Sequence, residues 1–205
     1  LEACCAEVAR RALVAVLDAT PAGERVYRTL GFEPVFALTR WQGLCRFLDD
    51  GPDKPFLDVW FENETTGYVI GLFNLILKTS DGGKSWQPWF DRTDNPKAYH
   101  FYAIRPVGND LYLAGEQGMV LKLDKAAQRF KALPMDYKGT FFGITGKPGA
   151  VIVYGLRGNA FRSGDDGKSW QKIETGVAAG LTGATLTADG RILLVTQGGQ
   201  VLAHR

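Results

Sequence analysis

Four stretches of this chain restate one another at intervals near 42 residues, and that repeat limits the fold more than any other feature. "GYVIGLFNLILKTSDGGKSW" begins at Gly67 and "NDLYLAGEQGMVLKLDKAAQRF" at Asn109; "AVIVYGLRGNAFRSGDDGKSW" begins at Ala150 and "GRILLVTQGGQVLAHR" at Gly190. The corresponding positions Lys78, Lys122 and Arg162 are separated by 44 and 40 residues. Within each unit apolar and polar residues alternate, and turn residues recur about every ten positions, as in short antiparallel strands. Ankyrin and tetratricopeptide repeats are helical and shorter. A period near 42 with several strands per unit is that of propeller blades. Glycine supplies 25 of the 205 residues, as many tight turns require.

Each unit reads as four strands. In the first, "FLDVWFE" (56–62), "GYVIGLF" (67–73), "LILKTS" (75–80) and "SWQPWF" (85–90) are the predicted strands. The blades then span 57–90, 99–133, 140–173 and 181–205, the last without its fourth strand. Segment 44–56, with its Gly-Pro-Asp and Lys-Pro signals, is the expected junction. "PVFALTRW" (34–41) alternates and ends in Trp41, and is expected to supply the missing strand of the fourth blade. A half-size repeat count also raises a homodimer in which two chains complete one ring. The fold class is therefore mainly β, a partial β-propeller of about four blades behind a short N-terminal α/β segment.

Two copies of one string stand out. Thr79, Asp81, Gly83, Ser85 and Trp86 return as Ser163, Asp165, Gly167, Ser169 and Trp170. The spacing suits a hairpin turn between the last two strands of a blade. Asp and Ser/Thr side chains accept from nearby backbone N–H groups, and Gly permits positive φ. The Trp enters the next strand with a large face to bury. The pattern resembles the Asp-box, or BNR, repeat, and its role is read as structural. A calcium loop would need carboxylates at alternate positions and a closing Glu, which neither copy has. In the second unit "KLDKAAQRFKAL" has lost the box, and Phe130 stands where the Trp should be.

Residues 1–43 read differently. "EACCAEVARRA" is helical, "LVAVLDA" suits a buried strand, and Thr20, Pro21 and Glu24 open a helix that Gly31 stops. "LDATPAGERVYRTLGFEPV" resembles the C-terminal part of GNAT-family N-acetyltransferases. The resemblance makes Tyr27 the position that would line an acetyl-coenzyme A site and protonate the departing thiolate. The Gly-rich pyrophosphate loop of that family is missing, so residual acetyl transfer is the weaker expectation and Tyr27 a packed helix residue the stronger. The juxtaposition reads as a chimera. Cys4, Cys5 and Cys45 have no zinc spacing and read as free thiols. The chain opens on Leu1 without a signal-peptide pattern and reads as a fragment.

A net charge of +2 gives no reason to expect nucleic acid, and no apolar run is long enough for a helical membrane span. Sialidases share the box, so glycan chemistry is weighed as the alternative. "YAIRP" (102–106) resembles their arginine motif only faintly, with Glu116 and Glu174 the main acidic candidates outside the turns. His100 and His204 are too isolated for a metal centre, and no metal or cofactor is expected. The order of residues in "GYVIGLFNLILKTSDGGKSW" resembles the photosystem II stability/assembly factor family of propellers, over about residues 50–205. Asn74 replaces the second Gly of the first unit, while Gly115/Gly118 and Gly155/Gly158 keep the pair. That resemblance implies an exported, non-enzymatic scaffold that binds other proteins, in a family of about seven blades. Lys78, Lys122 and Arg162, at one position of successive blades, form a candidate basic stripe for an acidic partner segment.

Overall fold

The computed structural model describes residues 54–204. Fifteen strands occur there in four sheets. The first holds β1 (Phe56–Phe61), β2 (Gly67–Gly71), β3 (Ile76–Thr79) and β4 (Gln87–Pro88). The second holds β5 (Phe101–Val107), β6 (Asp110–Gly115), β7 (Val120–Asp124) and β8 (Arg129–Ala132). The third holds β9 (Phe141–Lys147), β10 (Ala150–Gly155), β11 (Ala160–Ser163) and β12 (Gln171–Ile173). The fourth holds β13 (Leu181–Leu186), β14 (Ile192–Thr196) and β15 (Val201–His204). Each sheet is an antiparallel meander in chain order. These are propeller blades, and among the described residues the last has three strands rather than four.

The second strand of each inner blade, β6 and β10, lies between two neighbouring sheets, which explains its nearly continuous apolar run. In β10, Val151 and Val153 join Ile144, Tyr112 and Ala114 in the core between the second and third blades. Ile152 and Tyr154, one residue out of phase, join Leu181, Ile192 and Leu194 between the third and fourth. Tyr68, Ile70 and Ile76 meet Phe101, Ile104, Leu113 and Phe130 in the same way between the first and second. Each fully buried Leu, Ile or Val contributes ~1.5–3 kcal/mol, so the blade interfaces rather than the hairpins hold the fold together.

One irregularity recurs in every blade. Phe56 opposes Gly71 but the next pair is Asp58 with Ile70, leaving Leu57 unpaired. The same slip isolates Tyr102, Phe142 and Thr182 in β5, β9 and β13. These are β-bulges, which bend a strand and re-aim one side chain.

The fourth strand of the first blade is much shorter than the expected 85–90, reduced to Gln87–Pro88. Pro88 has no N–H to continue the ladder. Trp89 N–H donates to Ile76 O at 2.9 Å, and the chain leaves in a 3-10 turn over Phe90–Arg92. After the second strand, each of the first three blades turns through two left-handed residues: Phe73 and Asn74, Gln117 and Gly118, Arg157 and Gly158.

Candidate functional site

The two copies of the repeated string fold into the same turn. Thr79 Oγ1 donates to Asp81 Oδ1 at 2.8 Å and accepts from Gly83 N–H at 2.9 Å. Asp81 accepts from Ser85 N–H at 2.9 Å and from Ser85 Oγ at 2.6 Å. In the third blade Ser163, Asp165, Gly167 and Ser169 repeat these bonds at 2.8, 2.8, 2.9 and 2.6 Å. Gly83 and Gly167 take φ of 85° and 91°, which a β-carbon would strain. Each carboxylate spends its lone pairs on the turn itself. Among the described residues, no group of three or more His, Cys, Asp or Glu stands placed to hold a metal ion.

The Ser85 and Ser169 hydroxyls and their backbone N–H groups hold the Asp81 and Asp165 carboxyls down at about 2. Both lie below the ordinary ~3.9 of an aspartate, so the ionised form is the one the fold favours. That stability is complete above the unfolded value and is lost as pH falls through about 2. Carboxyl-carbon NMR titration should give midpoints near 2 for both residues. Midpoints at the ordinary aspartate value would mean that the turn is open in solution.

Trp86 packs edge-on to Phe61 at 5.9 Å, and Trp170 enters the core between the second and third blades, its Nε1 buried without a partner among the described residues. In the second blade Phe130 is fully buried against Tyr68 and Trp89. The turn there is held by another aspartate. Asp124 Oδ1 accepts from Ala126 and Ala127 N–H at 3.0 and 2.9 Å, and Oδ2 pairs with Lys131 at 2.7 Å. Sequence reasoning missed this replacement, although an Asp two residues before a small-residue pair is an Asx-turn signal.

Lys78, Lys122 and Arg162 stand opposite Tyr68, Tyr112 and Ile152 at one register position. Lys78 Nζ lies 4.6 Å over the Trp89 ring and donates to Gln128 Oε1 at 3.0 Å. Lys122 pairs with Asp110 at 2.7 Å over Tyr112. Arg162 is exposed. Two of the three cations are therefore engaged within the chain. Glu116 accepts from His100 N–H at 3.0 Å, and Glu174 is an exposed residue after β12. The two acids do not converge on one site. Tyr27 lies outside the described residues, as do Cys4, Cys5, Cys45 and the segment 34–41.

Asn74 does more than tolerate a left-handed backbone. Its Oδ1 accepts from Thr93 Oγ1 at 2.8 Å and Asn95 Nδ2 at 3.0 Å, while its Nδ2 donates to Phe90 O at 3.0 Å. Arg129 closes the same shallow concavity, donating to Asp94 Oδ1, Asp91 O and Thr93 O. These polar groups are spent on anchoring the link between the first two blades.

The bulge row forms the other surface. β1, β5, β9 and β13 are the first strands of their sheets, and each lies beside the next. The bulged residues Tyr102 and Phe142 meet across β5 and β9 with T-shaped rings 5.6 Å apart, both half-buried. Asp58 Oδ2 ties β1 to β5 through the Ile104 N–H at 2.9 Å and the Arg105 guanidinium. An aromatic pair on a rigid strand row offers flat, amphipathic contact area at little entropic cost.

Known proteins match this architecture. The chain is 25% identical over 144 residues to a "Photosystem II assembly lipoprotein Ycf48" of Synechococcus sp. (strain CC9902), covering 68% of this chain and 43% of that protein. It is 21% identical over 166 residues to "Photosystem II stability/assembly factor HCF136, chloroplastic" of Oryza sativa, covering 73% and 39%. The chain thus spans about half the length, or less, of these relatives. A solved structure described as "YCF48 bound to D1 peptide" superposes with a TM-score of 0.58 at 23% identity, over 74% of this chain and 50% of that one. This shows a shared fold. The comparisons give the acetyltransferase resemblance of residues 1–43 no support. The sequence model described as "Photosynthesis system II assembly factor YCF48" matches residues 41–204, and the chain belongs to that family.

Proposed function

We propose that the chain is a non-enzymatic propeller scaffold that holds an extended segment of a protein partner while a larger complex assembles. The family match over residues 41–204 carries this reading. The Tyr102–Phe142 pair on the first-strand row supports it as a contact for side chains of such a segment. A solved member of the fold is described as bound to a D1 peptide, so that peptide is the natural ligand to try. A glycan-active reading would need converging acids, and Glu116 and Glu174 are apart and otherwise engaged or solvated.

Fluorescence anisotropy with a labelled D1 peptide should show saturable binding. Tyr102→Ala combined with Phe142→Ala should weaken it about tenfold or more, since interface aromatics commonly cost over about 1 kcal/mol when truncated. A folded wild-type chain with no saturable signal at millimolar peptide would refute the scaffold reading for this ligand. Charge reversal at Lys78, Lys122 and Arg162 is the companion measurement, and unchanged affinity removes that row from the contact surface.

A further inference from the structure

One backbone bond recurs in all four blades, and in the second it is accompanied by a side chain of the type that changes charge near neutral pH. The carbonyl just before each first strand accepts the N–H that follows the second strand. Pro55 O accepts from Leu72 and His100 O from Glu116, both at 3.1 Å; Thr140 O accepts from Leu156 at 2.9 Å and Gly180 O from Gln197 at 2.8 Å. Pro, Thr and Gly do not titrate at that position, and histidine does. The His100 imidazole also reaches back to the first blade. Its Nδ1 accepts from the Phe73 N–H at 3.0 Å, and the two rings stand T-shaped with centroids 4.5 Å apart. Phe73 holds φ of 55° and Asn74 after it 59°. A left-handed phenylalanine is sterically unfavourable, so the turn keeps that shape only where contacts hold it.

We infer that His100 is a proton-operated latch between the first two blades, holding the Phe73 turn when neutral and releasing it to pair with Glu116 when protonated. An Nδ1 that accepts a hydrogen bond carries no proton, so the neutral ring has its proton on Nε2. A proton taken from solvent onto Nδ1 turns that acceptor into a donor, which then faces a second donor, the Phe73 N–H. The new partner is already in place. Glu116 Oε2 lies 3.6 Å from Nδ1 and accepts from the His100 N–H at 3.0 Å. Charge reaches the ring from two sides. Glu116 comes from the turn after β6, and Lys54, ahead of β1, donates to Phe73 O at 3.3 Å. Tyr102, two residues along β5, faces the same carboxylate: burial, and then Glu116, raise its phenol. On the other side of His100, Tyr99 lies under the Lys97 ammonium at 6.0 Å. Asn74 stays anchored through Thr93, Asn95 and Tyr99 O, so the release is local to Phe73.

The test is NMR on the 205-residue chain. At about pH 8 the His100 nitrogen signals should show Nδ1 bare and Nε2 protonated. The protection factor of the Phe73 amide, corrected for intrinsic exchange, should fall about tenfold between about pH 8 and about pH 5, roughly the worth of one hydrogen bond. The Leu156 amide, which makes the recurrent bond to Thr140 O in the third blade, is the control and should not change. His100→Ala should give the low Phe73 protection at both pH values. Glu116→Gln keeps an acceptor for the His100 N–H but removes the anion, and should move the release to lower pH. A proton on Nδ1 of the neutral ring would overturn the latch. So would Phe73 protection that is flat with pH, that still falls in His100→Ala, or that falls in parallel with Leu156. A Glu116→Gln profile identical to that of the wild type would overturn the hand-over to Glu116. The D1 peptide enters none of these readouts, so the scaffold reading and the latch stand or fall separately.

Discussion

Gly158→Ala should destabilise the fold by at least about 3 kcal/mol, and Gly118→Ala should match it. Two costs combine at each site. Gly158 holds φ of 69° and Gly118 of 72°, a left-handed conformation that costs an L side chain roughly 1–2 kcal/mol. A β-carbon on Gly158 would also lie 1.9 Å from Val177 O, and one on Gly118 1.8 Å from Tyr137 O. Those oxygens are main chain, in the segments that lead to the next blade, and they cannot swing aside as a flexible side chain would. Gly118 N–H already donates to Gly139 O at 2.6 Å, and Gly158 O accepts from Thr175 Oγ1 at 2.7 Å, so moving the turn breaks the bonds that seat it. Gly149 is the control. Its φ is 78°, yet none of the described residues lies within 4 Å of the place a β-carbon would take. Gly149→Ala should therefore cost only the conformational part, about 1–2 kcal/mol. Urea unfolding with a constant m-value separates the two cases. Equal losses at Gly149 and Gly158 would show that close approach of the linker plays no part.

The same position explains what could and could not be read from the sequence. Gly115/Gly118 and Gly155/Gly158 announce a repeated turn because a backbone that must turn left-handed against another backbone admits little else. Asn74 looked like a lapse in that pattern. Its role becomes visible only with Thr93 and Asn95, 19 and 21 residues away, whose side chains its amide binds. The hydroxyl–Asp–Gly–Ser spacing was legible because all its bonds close within a few residues. The partners of Lys78 were not, since Gln128 lies 50 residues on in the next blade. The bulges at Leu57, Tyr102, Phe142 and Thr182 were hidden for a different reason. A single unpaired residue shifts the alternation by one, and beside a strand buried on both faces that shift leaves no polar mark. Pro88 could have warned that β4 would stop early.

Phe130→Ala should cost about 3–5 kcal/mol, more than Trp86→Ala at under about 2 kcal/mol, although the indole is the larger ring. The two residues, with Trp170, occupy one position in successive blades and differ in what stands behind them. Phe130 faces the first blade and is fully buried, 6.0 Å from Tyr68 and 6.2 Å from Trp89. Its carbonyl accepts from Asp94 N–H at 2.9 Å, so the ring is fixed from both its side chain and its backbone. Trp170 faces the second blade and is partly buried in the core there. Trp86 belongs to the trailing side of the first blade and packs edge-on to Phe61. Chemical unfolding should therefore rank the alanine variants Phe130, then Trp170, then Trp86. The reverse order would mean that the turn, and not the blade behind it, sets the value of the position.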